Sequence, residues 1–150
     1  MYMYQYTVSF GESIRRAFRN YCNFRGRASR SEFWWFNLFV GLIITGLYIL
    51  LLAGVIQVVL MSPLSYAAMP GSGVDLILFF PVFLILGFII AVFLPSLGLL
   101  FRRLHDTGRS GWWYLLSFIP YVGSIIILIF CCLPSDPYEN DYGEVPNLVY

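Results

Sequence analysis

Residues 76–101 read LILFFPVFLILGFIIAVFLPSLGLLF, and Arg102-Arg103 follow at once. Twenty of them are Leu, Ile, Phe or Val. At about −0.3 to −0.6 kcal/mol apiece, these residues favour insertion into lipid by several kcal/mol even after Gly and Pro are discounted. The stretch is therefore read as a membrane span, with a kink expected at Pro95. Outward from it, no charge occurs between Phe33 and Val74, so 34–61 also exceeds the roughly 20 residues that cross a bilayer. A third apolar run, 112–133, is divided by Pro120-Tyr121-Val122-Gly123 into two arms of about 15 Å each, which suit one kinked span or a re-entrant hairpin.

Composition agrees: the chain is 59% hydrophobic and 11% charged, against roughly 25% charged in soluble domains. All nine basic residues are arginines, confined to 1–32 and 102–109. Each cluster runs into a tryptophan pair, Trp34-Trp35 and Trp112-Trp113, and indoles settle at headgroup depth. Neither 62–75 nor the acidic tail 134–150 contains Lys or Arg, so the N-terminus is expected inside and the 62–75 loop outside. The expected fold is an all-α, multi-pass integral membrane protein of three transmembrane helices, with the tail outside. A re-entrant third segment would put the tail inside instead.

Before the first span, Ser9-Phe10-Gly11-Glu12 has the spacing of a helix capping box. Phe10, Ile14, Ala17, Phe18, Tyr21 and Cys22 follow at helical spacing, with Arg15, Arg16, Arg19 and Asn20 opposite. Residues 9–24 are thus predicted as an amphipathic helix in the headgroup plane, with packing on protein as the alternative. The tyrosine-rich leader 1–8 shows no period, and no cleavable signal is expected. Asp75 is positioned to cap the second span. Three cysteines, Cys22 and Cys131-Cys132, provide no disulfide framework.

Two longer motifs are similar to a known family. Tyr21-Cys22-Asn23-Phe24-Arg25-Gly26-Arg27-Ala28-Ser29-Arg30-Ser31-Glu32-Phe33-Trp34 resembles the opening signature of the bacterial membrane family catalogued as domain of unknown function 805, the YhaH-like proteins. Phe101-Arg102-Arg103-Leu104-His105-Asp106-Thr107-Gly108-Arg109-Ser110-Gly111-Trp112-Trp113, with Ile119-Pro120 and Gly123, resembles its second hallmark. The likeness covers roughly 14–147. In the tail, the family's Asn-Arg-Tyr-Gly stands here as Asn140-Asp141-Tyr142-Gly143. The resemblance implies a small bacterial inner-membrane protein with no assigned reaction.

The arginine clusters are the candidate chemistry. Arg25, Arg27, Arg30, Arg102, Arg103, His105 and Arg109 form a candidate anion or lipid-headgroup site, weighed against a positive-inside loop that sets topology alone. Glu32, at the doorway of the first span, is expected to bridge to Arg102, Arg103 or Arg109, because an isolated carboxylate beside hydrocarbon is costly. Asp106 is expected to cap or pair locally. An enzyme would need His105 to find a partner such as Glu32, with Ser110 or Thr107 as nucleophile, and no spacing favours that. One histidine with scattered acids lacks ligand spacing, so no metal and no cofactor is expected. A transporter is disfavoured by spans without ionisable groups. Gly41-x-x-x-Thr45 and Gly87-x-x-x-Ala91 offer small-residue faces for contact within the chain or between chains. The expected partners are anionic membrane lipids, with a second copy or another membrane protein possible, and no nucleic acid.

Overall fold

The computed structural model describes residues 4–5, 7–60, 74–146 and 148–149. They form α1 (Phe10–Arg19), α2 (Arg30–Leu60), α3 (Val74–Asp106), a 3-10 helix (Gly111–Phe118) and α4 (Val122–Cys132). Two-residue strands β1 (Tyr4–Gln5) and β2 (Leu148–Val149) pair antiparallel, with Tyr4 opposite Val149. The leader read as unstructured thus meets the end of the tail. Up to residue 73 the loop expected at 62–75 lies outside the described residues, and Asp75 falls in the first turn of α3, its side chain also outside them.

The chain divides into two compact units, Val40–Val92 and the remainder. In Val40–Val92 the only charged residue is Asp75. Most of its large apolar side chains among the described residues are exposed, Val59 by 74% and Ile90 by 73%, a surface suited to lipid. α2 and α3, of 31 and 33 residues, are long and apolar enough to cross a membrane. At 1.5 Å per residue they extend about 46 and 50 Å, against a hydrocarbon core of about 30 Å, so charged ends can stand outside it. α3 continues through Pro81 and Pro95 as one helix.

In the other unit, Ser9 caps α1 by accepting from the Glu12 amide at 3.4 Å. Glu12's carboxylate turns along the helix to Arg16 instead of back to Ser9. α1 stops at Arg19, short of the predicted residue 24, because Asn20 leaves helical geometry and its side chain takes the Arg16 carbonyl at 3.0 Å. Tyr21 and Cys22 therefore lie beyond the helix. The apolar stripe of α1 meets protein: Phe18 packs edge-on against Phe36 and Phe39, Phe10 against Trp35, and the Ser13 hydroxyl donates to the Glu32 carbonyl at 2.6 Å. Ser29 in turn caps α2, accepting from the Glu32 amide at 3.3 Å.

The run 112–133 is a folded-back hairpin. Its 3-10 arm of eight residues and helical arm of eleven each extend about 16 Å, half the hydrocarbon thickness. Trp113 near the start packs edge-on against Phe130 near the end, with centroids 5.6 Å apart. At the tip, the Val122 amide donates to the Pro120 carbonyl at 2.7 Å across Tyr121, whose φ is +63°. A Cβ at Gly123 would enter the Leu116 carbonyl, so only glycine lets the arms close.

Candidate functional site

The last turn of α3 presents Arg102, Arg103 and Asp106, and Gly108, at φ +70°, ends the helix. Asp106 is fully buried between two arginines. Arg27 Nε and Nη2 each lie 3.0 Å from its Oδ1, while Arg103 Nη1 and Ser135 Oγ donate to its Oδ2. One carboxylate cannot occupy two guanidiniums, and backbone carbonyls take the remaining donors. Arg27 Nη1 reaches the Tyr138 carbonyl at 2.7 Å and Nη2 the Asp136 carbonyl at 2.6 Å. Arg103 Nε reaches the Cys131 carbonyl at 3.1 Å and its Nη2 the Leu133 carbonyl. Every nitrogen of both guanidiniums is thus satisfied by protein, as buried charge requires.

The tail closes this clamp. His105 stacks face to face on Tyr142 with centroids 4.0 Å apart, its Nδ1 lies 3.2 Å from the Gly26 carbonyl, and Asn140 donates to its backbone carbonyl at 3.0 Å. Ser110 and Thr107 are engaged locally, Ser110 accepting from the Trp112 amide and Thr107 donating to the Leu104 carbonyl. Among the described residues, no hydrogen bond joins His105 to either hydroxyl or to Glu32.

A second carboxylate stands at a different kind of site. Glu32 Oε1 is 3.4 Å from Arg102 Nη1, and its Oε2 is 4.0 Å from Arg16 Nη1. Glu12, outside any span, is held below the usual carboxylate range by its hydrogen bond from Arg16. Between these groups opens a cleft of about 510 Å³ lined by Glu12, Arg16, Arg19, Asn20, Arg27, Glu32, Arg102 and Pro146. Arg102 Nε contacts the Gly98 carbonyl at 3.4 Å, while its Nη2 is buried without a hydrogen-bond partner.

The structure thus sorts the arginines named from sequence. Arg27 and Arg103 are committed to Asp106 and the tail, and Arg102 lines the cleft. Arg25 and Arg30 are exposed, and Arg109 lies over the Phe130 ring at 4.2 Å with Nη1 on the Thr107 carbonyl. Trp34, Trp35, Trp112 and Trp113 are all exposed. Sequence reasoning left Arg16 and Arg19 as a solvated helix face and missed the carbonyls of 133–143 as arginine acceptors. The tail motif Asn140–Gly143 was the one available signal for the latter.

The segment from Tyr21 to Glu144 contains both arginine motifs and the tail that closes on them. It is the span, 21–144, that matches the family model "Protein of unknown function (DUF805)". The chain belongs to the DUF805 family. It is 38% identical over 132 residues to "Inner membrane protein YhaI" of Escherichia coli K12, covering 86% of this chain and 90% of that protein. To "Inner membrane protein YhaH" of the same strain it is 39% identical over 133 residues, covering 89% and 94%. No solved structure matches. Apolar helices together with these relatives make this DUF805 chain a membrane protein.

Proposed function

We propose that this DUF805 protein is a non-catalytic binding or scaffold protein of the bacterial inner membrane, whose Arg/Trp rim holds anionic lipid headgroups on the cytoplasmic face. α2 and α3 cross the bilayer, the hairpin enters and leaves on one side, and both termini face the cytoplasm. The observation that carries this is the contrast in one unit between exposed arginines, Arg25 and Arg30, and exposed indoles, Trp34, Trp35, Trp112 and Trp113. Each exposed cation adds about 1 kcal/mol of attraction to an anionic leaflet, and indoles fix the depth. A second copy or another membrane protein is the partner that suits Val40–Val92, where a Cβ at Gly41, Gly46 or Gly87 would meet nothing within 4 Å. Catalysis by His105 is disfavoured because its ring is occupied by Tyr142 and Gly26.

Native mass spectrometry of wild type and an Arg25→Ala/Arg30→Ala pair, released from membranes of mixed anionic and zwitterionic lipid, tests the rim. Fewer anionic lipids retained by the pair is the expected result, and equal retention rejects it. Topology is tested with membrane-impermeant maleimide on single-cysteine chains carrying Cys22 or Tyr138→Cys. Labelling of both from the same face is expected.

A further inference from the structure

We propose that the cleft between α1 and the end of α3 is a binding site for one phosphate-type oxyanion, with Arg102 as its buried anchor and Arg16 and Arg19 as its rim. This deepens the headgroup-binding reading and rests on it for the lipid form of the ligand. Arg102 is 5% exposed, and its Nη2 has no acceptor. A buried donor on a charged group left unmade is among the more expensive defects a fold carries, so an acceptor belongs there. At the Asp106 clamp, by contrast, every guanidinium nitrogen is filled by protein. Among the described residues Arg102 Nη2 is the one buried side-chain nitrogen without a hydrogen-bond partner, and Arg102 lines the cleft.

The lining decides the sign of the ligand. With Arg27 committed to Asp106, the cleft offers Arg16, Arg19 and Arg102 against Glu12 and Glu32, three cations to two carboxylates. A cation is excluded and an anion is drawn in. The guanidiniums come from two helices, Arg16 and Arg19 from α1 and Arg102 from α3. A tetrahedral oxyanion can accept from both at once, whereas a planar carboxylate fits a single fork best. A volume of about 510 Å³ exceeds a bare phosphate and leaves room for an ester group. Arg102 is the first charged residue after the apolar run of α3, so the cleft lies at the depth of a lipid phosphate. The shared chemistry is the phosphate, borne by a lipid or free.

The full chain purified in maltoside micelles, which contain no phosphate, separates the two sources. In one arm, glycerol 3-phosphate is titrated by calorimetry. In the other, phosphatidylglycerol is added and bound lipid is counted by native mass spectrometry. One equivalent is expected in at least one arm, and the arm identifies the source. Arg102→Met and Arg19→Gln are each expected to weaken binding about tenfold or more, as for loss of a charge-assisted hydrogen bond. Arg19 is exposed and makes no ion pair among the described residues, so Arg19→Gln keeps the test valid if Arg102→Met fails to fold. Absence of any stoichiometric ligand in wild type, as when water alone fills the cleft, overturns the proposal. So does unchanged affinity in Arg19→Gln. The micelle titration involves no leaflet, so its failure leaves the Arg25/Arg30 rim standing, and failure of the rim leaves a positive titration standing.

Discussion

Asp106 and Glu32 each stand between two arginines, yet the two sites have opposite characters. At Asp106 both guanidiniums are buried and every nitrogen has an acceptor, the carboxylate or a backbone carbonyl. At Glu32 the partners sit 3.4 and 4.0 Å away, one is partly exposed, and one nitrogen of Arg102 has no acceptor. The same residue types give a structural clamp in the first case and an open cleft in the second. What separates them is the supply of backbone carbonyls: the tail and the end of α4 bring several to Arg27 and Arg103, whereas among the described residues Arg102 meets one, that of Gly98 on its own helix.

The largest effect that tests this contrast is Asp106→Ala. It leaves Arg27 and Arg103 buried without their carboxylate, a loss of about 3–5 kcal/mol, a large share of a typical 5–15 kcal/mol stability. The variant is expected to lose its cooperative thermal transition in detergent, and a melting temperature within a few degrees of wild type would break the clamp reading. Gly123→Ala comes next. Its Cβ meets the Leu116 carbonyl, opening the hairpin that delivers the Cys131 and Leu133 carbonyls to Arg103, at about 1–3 kcal/mol. Circular dichroism melting should show a clear drop in Tm, and wild-type stability would mean the hairpin is not what holds Arg103.

The long apolar helices were legible because an uncharged run of Leu, Ile, Phe and Val has few alternatives to lipid: 76–101 falls within α3 and 34–60 within α2, residue 61 lying outside the described residues. The end of α1 was not, since Tyr21 and Cys22 keep the apolar period while Asn20 breaks the backbone. The sequence favoured a third span over a hairpin at Pro120, while the folded-back arms rest on the Trp113–Phe130 and Gly123–Leu116 contacts, which no local pattern contains. Arg27 and Arg103 read as anion ligands because their partners are distant in sequence or are carbonyls. Asp106 is 79 residues from Arg27, and a carbonyl acceptor is common to every residue, so side-chain reading passes over it.

The smallest effect is the sharpest control on the comparison. Arg25 and Arg27 are two residues apart on one loop around Gly26, whose φ is +84°; Arg25 is exposed and Arg27 buried. Arg25→Ala removes a solvated side chain and should change stability by less than about 0.5 kcal/mol. Arg27→Ala leaves Asp106 with Arg103 and Ser135 and frees the Asp136 and Tyr138 carbonyls, so it should destabilise by about 3 kcal/mol. Paired melts of the two variants in one detergent isolate burial from charge, because the residue type and neighbourhood are shared. Similar losses in both would mean that charge count, and not the clamp on Asp106, sets the stability of this face.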